Sequence, residues 1–134
     1  YVDVDFELLR PLPTSIWDCQ FFGGIQNNGQ VAIGIFGASP NDPLMEQICN
    51  RVVPNIELRL SHKVSINRVD QLTGPEFMNE MCQPFRNQAG YTFYQPEVFY
   101  PYWINELHRR REDFKTTCPK AYAVHHWSGN WFEK

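Results

Sequence analysis

Tyr1-Val2-Asp3-Val4-Asp5-Phe6-Glu7-Leu8 sets apolar Val2, Val4, Phe6 and Leu8 against polar Asp3, Asp5 and Glu7. That period of two belongs to a half-buried β-strand. Successive strand side chains point to opposite faces, so the two aspartates share one face. The pattern predicts a strand over residues 2–9, closed by Pro11 and Pro13, because proline lacks the amide a ladder needs and restricts the residue before it. The sequence opens on this strand without a methionine, which suggests an excerpt of a longer protein.

Working outward, Gly23-Gly24 reads as a turn and Asn27-Asn28-Gly29 as a second one, placed before an apolar run at residues 31–36 that predicts a buried strand. Asp42-Pro43 is a helix start, with aspartate as N-cap and proline in the first turn, ahead of Leu44, Met45, Ile48 and Val52. Pro54 is expected to end or kink that helix. Thr73-Gly74-Pro75-Glu76 repeats the logic before Phe77, Met78 and Met81. Residues 92–94 and 98–100 look extended, residues 102–114 form a helix or an ordered loop, and residues 121–126 read as a last short strand. Strands mixed with helices predict an α/β class for residues 1–134, a single domain of ordinary length.

Composition narrows the function. Apolar residues make up 43% and charged residues 20%, as in a folded domain rather than a disordered one. The net charge is -3, and Arg109-Arg110-Arg111 is the one basic run, so no nucleic-acid partner is expected. No apolar run approaches the roughly 20 residues of a membrane span. Cys19, Cys49, Cys82 and Cys118 show no metal or redox spacing. Buried free thiols are the expectation, with two disulfides as the alternative in an oxidising lumen.

Two carboxylates at i and i+2 on one strand face come within reach of one ion, and hard oxygen donors suit Mn²⁺ or Mg²⁺. By themselves they are more often the wet face of an edge strand. The closing run Ala121-Tyr122-Ala123-Val124-His125-His126-Trp127-Ser128-Gly129-Asn130-Trp131 adds imidazole, hydroxyl and indole groups at a strand end. Neighbouring strand residues face opposite ways, so only one histidine can join a given ion. Asn27 and Asn28 read first as turn formers.

Taken together, Tyr1-x-Asp3-x-Asp5, Thr73-Gly74-Pro75, Phe99-Tyr100-Pro101 and the stretch through His125, Trp127 and Trp131 resemble the DXD-containing glycosyltransferase sugar-binding region family. Its members include initiating α-1,6-mannosyltransferases and α-1,4-galactosyltransferases. More distantly, the chain resembles the glucosyltransferase domain of large clostridial toxins. The resemblance implies a GT-A fold with a mixed sheet and flanking helices, of which residues 1–134 are the C-terminal part, the base-binding half lying upstream. It also implies Mn²⁺ or Mg²⁺ and retaining transfer from a nucleotide-diphosphate sugar to a glycan, glycolipid or glycoprotein acceptor. On that analogy Asp5 ligates the metal, Asp3 contacts it through water or contacts the ribose, His125 completes the metal or diphosphate site, and Ser128 adds an oxygen. Trp131 would cover the donor, Thr73, Gly74 and Pro75 would approach a sugar through a helix N-terminus, and Asn27 or Asn28 would place an amide near the transferred sugar. Asn130 and Asn41-Asp42-Pro43 depart from the family pattern. Asp70 and Glu97 are the carboxylates available as a nucleophile, and neither is singled out. A metal-dependent hydrolase or phosphodiesterase using Asp3, Asp5 and His125, and a non-catalytic carbohydrate-binding module built on the 15% aromatic content, are the alternatives. The compartment follows from the source: a Golgi or secretory lumen in a eukaryote, the cytoplasm or a membrane periphery in a bacterium or virus.

Overall fold

A computed structural model describes residues 1–63, 65 and 68–128. In chain order the elements are β1 (Phe6–Leu8), β2 (Phe21–Ile25), β3 (Val31–Ala38), α1 (Pro43–Ser61), α2 (Val69–Leu72), α3 (Pro75–Cys82), β4 (Tyr91–Tyr94), α4 (Pro96–Phe99), α5 (Phe114–Thr117) and β5 (Ala123–His125). Three 3-10 segments lie between them, at Thr14–Asp18, Gln83–Phe85 and Ile104–Arg111. The chain is therefore mixed α/β, with two small sheets and flanking helices.

Asn27-Asn28-Gly29 reverses the chain between β2 and β3, which pair antiparallel from Phe21↔Ala38 to Ile25↔Val31. β4 adds parallel to the other edge of β2, giving the order β3-β2-β4. Every residue of β2 is buried, as expected of a central strand covered on both faces. α1 and α3 close one side, where Phe21, Val31, Leu44, Met78, Cys82 and Phe85 pack together. On the other side Phe22, Ala32, Ile35, Phe99 and Tyr100 form a second cluster. β1 and β5 pair antiparallel as a separate ribbon, over a third cluster that includes Tyr102, Phe114 and Val124.

Several sequence expectations change, each for a physical reason. The strand predicted over residues 2–9 shrinks to β1, because the segment serves two sheets. Val2 bridges Ile35, and the Asp3 amide donates to the Gly34 carbonyl at 2.8 Å. Four residues later the chain pairs with β5, so it must turn at Val4-Asp5, where the Phe6 amide donates to the Asp3 carbonyl. The apolar face is consequently not buried: Val4 is 102% exposed and Leu8 62%. Gly23-Gly24 is strand rather than turn. A Cβ on Gly24 would lie 2.6 Å from the Tyr100 ring, so glycine is there for close approach.

α1 starts as read, with the buried Asp42 accepting from the Met45 amide at 2.9 Å and from the Tyr91 hydroxyl at 2.9 Å. It runs through Pro54 to Ser61 instead of ending there. Residues 98–100 are not extended; Pro96 opens the helical turn α4, and the Tyr100 amide closes it on the Pro96 carbonyl at 2.7 Å. Residues 92–94 are strand, within β4. All four cysteines are free, but only Cys82 is buried and Cys49 is exposed. Among the described residues no helix is long and apolar enough to cross a membrane.

Candidate functional site

The turn at Val4-Asp5 and the end of β5 meet at one rim of a cleft of about 730 Å³, within the size range of small-molecule sites. Phe6 pairs with His125 across the ribbon, so β1 fixes the histidine beside the turn that holds the aspartates. His125 Nε2 lies 3.1 Å from Asp5 Oδ1 and 3.8 Å from Asp3 Oδ2. One donor atom from each of Asp3, Asp5 and His125 falls within 4.8 Å of the other two. Asp3, Asp5 and His125 are thus brought together as the sequence suggested, although from a turn and a strand end rather than from one strand face.

Each member is held by neighbours. Tyr1 donates its hydroxyl to Asp3 Oδ1 at 2.6 Å, and that bond pushes the tyrosine hydroxyl above its ordinary range. Asp5 Oδ2 accepts from both the amide and the hydroxyl of Ser128, each at 2.8 Å. Burial alone raises Asp5, but the two Ser128 bonds and His125 outweigh it and hold the carboxyl below its usual range, because they favour the charged form. Burial lowers His125 from its ordinary value, although Asp5 and Asp3 pull the other way. His125 Nε2 is turned to the two carboxylates. Its other nitrogen, Nδ1, is buried with no hydrogen-bond partner among the described groups.

The two histidines diverge as strand alternation requires. His126 Nε2 faces Glu7 Oε2 at 3.0 Å, and its Nδ1 faces the Tyr102 hydroxyl at 3.4 Å, away from the aspartates. After β5 the chain turns sharply at Trp127, whose φ of 51° is left-handed, a costly conformation for a bulky residue. Arg110 holds it by donating to the carbonyls of His126 and Trp127, and the Trp127 indole donates to the Tyr102 carbonyl at 3.1 Å. His125, Trp127 and Trp103 follow one another edge to face, with ring centroids 4.4 and 4.9 Å apart. An aromatic wall beside the carboxylates results.

The other expected residues divide. Asn28, Gly74 and Pro75 line the cleft, whereas Asn27 and Thr73 do not. Asn28 spends its carboxamide on the hairpin, donating to Gln30 Oε1 at 2.8 Å and accepting from the Gln30 amide at 3.1 Å. Gly74, not Thr73, caps α3, and a Cβ there would lie 2.7 Å from the Asp70 backbone, so this glycine serves close packing. Asp70 lines the cleft but takes two 3.2 Å hydrogen bonds from Arg68. Glu97 lies outside it, near Lys120 at 3.8 Å. Trp131 and Asn130 fall outside the described residues. Tyr100 and Trp103, read from the sequence as aromatics of a carbohydrate-binding alternative, line the cleft with Trp127 of the closing motif; Gln26 lines it too, and nothing in the sequence marked it. Compared with known protein families, curated proteins and solved structures, the chain finds no match.

Proposed function

We propose that this chain is the donor-binding part of a GT-A glycosyltransferase that uses Mn²⁺, or Mg²⁺, to move a sugar from a nucleotide-diphosphate donor to a hydroxyl acceptor. One observation carries the reading: Asp3, Asp5 and His125 converge within 4.8 Å at the rim of a cleft large enough for a sugar nucleotide. The order of motifs and the aromatic wall support it further.

The donor set suits the ion. Two carboxylates supply hard oxygens, and the His125 imidazole adds a nitrogen that tilts preference from Mg²⁺ towards Mn²⁺. When bound, such a cation neutralises charge on a leaving diphosphate. The protein's own groups do the rest. The amide and hydroxyl of Ser128 hold Asp5 ionised and turned to the cleft, while the Tyr1 hydroxyl orients Asp3. Trp127, Trp103 and Tyr100 present faces and edges that pack on a sugar ring and exclude water. No protein nucleophile is assigned, because Asp70 is occupied by Arg68 and Glu97 lies outside the cleft. Same-face displacement, with the protein positioning the acceptor hydroxyl, fits that arrangement.

The test is Mn²⁺-dependent release of nucleoside diphosphate by the full-length protein from UDP- and GDP-sugars, with Asp5→Ala and His125→Ala beside it. Both variants are expected to lose Mn²⁺ binding and turnover together. Turnover untouched by Asp5→Ala would sink the assignment. Release that no acceptor accelerates, and that yields free sugar, would favour a hydrolase on the same residues.

A further inference from the structure

Three carboxamides sit at the tip of the β2–β3 hairpin and line the cleft, and only one of them is unspent. Asn28 and Gln30 satisfy each other at the solvent edge. Gln26 is 7% exposed. Its backbone is fully used, the amide donating to the Gln30 carbonyl and the carbonyl accepting from the Gly29 amide, each at 2.8 Å. Its side chain forms no hydrogen bond with any described residue, yet it lines the cleft. Its polar atoms are not among the buried side-chain atoms that lack a partner, so the little surface Gln26 keeps open includes its carboxamide, presented to the cleft and available to whatever enters.

Gln26 follows directly on the central strand β2, and its backbone is held at the first position of the turn. The side chain is therefore presented by rigid sheet rather than by a loose loop, the placement that gives a site its precision. A carboxamide carries two donors and an acceptor on one plane, which matches adjacent hydroxyls of a pyranose, one taken as acceptor and the next as donor.

On the transferase reading above, we propose that Gln26 reads the hydroxyl pattern of the donor's sugar and so sets donor preference. A site built to pair with a hydroxyl rejects analogues that lack it or misplace it, because its own polar group is then left unpaired. The amide serving the sugar is thus Gln26, with Asn27 and Asn28 making the turn that holds it.

The experiment compares full-length wild type, Gln26→Met and Gln26→Glu with Mn²⁺ and UDP-glucose, UDP-galactose, UDP-N-acetylglucosamine and GDP-mannose. Nucleoside diphosphate release is followed with and without acceptor, and melting temperature is measured alongside. Methionine keeps the length and removes the hydrogen bonds. For the preferred donor, kcat/KM is expected to fall about tenfold, the worth of a hydrogen bond or two, and preference among the four to flatten. The melting temperature should hold or rise, since no protein hydrogen bond is lost. Glutamate, which keeps the acceptor atoms only, should also lose discrimination. Preference and kcat/KM unchanged in an active Gln26→Met protein would overturn the role of Gln26 and leave the transferase reading standing. A drop in melting temperature would overturn it too, showing the amide paired within the fold, as would a change confined to the acceptor's KM. A wild type inactive on all four donors would remove the transferase reading and this inference with it.

Discussion

His125 titrates against both its neighbours and its burial, and burial wins. The consequence for stability follows by linkage. An imidazole whose folded pKa lies below the ordinary 6.5 binds its proton more weakly folded than unfolded, so stability falls as pH drops below that value. Asp5, held below its ordinary 3.8, adds stability above that pH which is lost on further acidification. Both groups act in one direction, in two separate windows. The urea midpoint of the metal-free protein should decline first near pH 6 and again below pH 4. His125→Gln should abolish the first step and keep the second. A first step that survives in the variant assigns it to another histidine. The thiols supply a second residue-scale expectation. Burial pushes Cys82 up to about 12, whereas Cys49 is exposed on α1, so a maleimide at neutral pH should label Cys49 rapidly and Cys82 only after denaturation. Cys82 modified at the rate of Cys49 would contradict the packing around it.

At the scale of elements, the segment after β5 is held in a conformation its residues do not prefer. Trp127 sits at positive φ, and Arg110, from the Ile104–Arg111 segment, binds the carbonyls on either side of that bend. Ser128 can reach Asp5 only because the bend is made. Arg110→Met should therefore weaken Mn²⁺ binding by about tenfold, the scale on which lost supporting contacts act on metal ligands. Ser128→Ala should lie between it and wild type, because the Ser128 amide still donates. Binding equal to wild type in Arg110→Met would show that the bend needs no clamp. The elements also show what a sequence can disclose. Asp42-Pro43 and Asn27-Asn28-Gly29 announced α1 and the hairpin correctly, since caps and turns are local chemistry. β1 was overextended because alternation cannot reveal that Val2 and Phe6 belong to different sheets. Gly23-Gly24 was misread because glycine marks a turn and a tight packing contact with the same letter, and the contact is with Tyr100, far along the chain. Asp3, Asp5 and His125 were suggested by the order of motifs. Gln26 was not, since its distinction is a missing partner, visible only once the fold is known.

At the scale of the whole molecule the cleft has a one-sided charge. Asp3 and Asp5 line it and no lysine or arginine does among the described residues, while Asp70, which also lines it, is paired with Arg68; the chain as a whole carries -3. A cleft of one sign focuses its field on whatever enters, so without a cation a diphosphate meets repulsion and finds no guanidinium or ammonium to answer it. The full-length protein should quench its tryptophan fluorescence with UDP or GDP when Mn²⁺ is present and fail to do so in EDTA, because Trp103 and Trp127 stand at the cleft wall. Salt in EDTA should screen the repulsion without restoring tight binding, since screening removes a penalty but supplies no bridge. Asp5→Asn separates the two roles by sign. Removing one negative charge should make metal-free nucleotide binding stronger than in wild type, while the gain on adding Mn²⁺ largely disappears. A merely structural Asp5 predicts weaker binding under both conditions. Loss of affinity in EDTA on Asp5→Asn would therefore reject the electrostatic account, whatever the variant does with Mn²⁺.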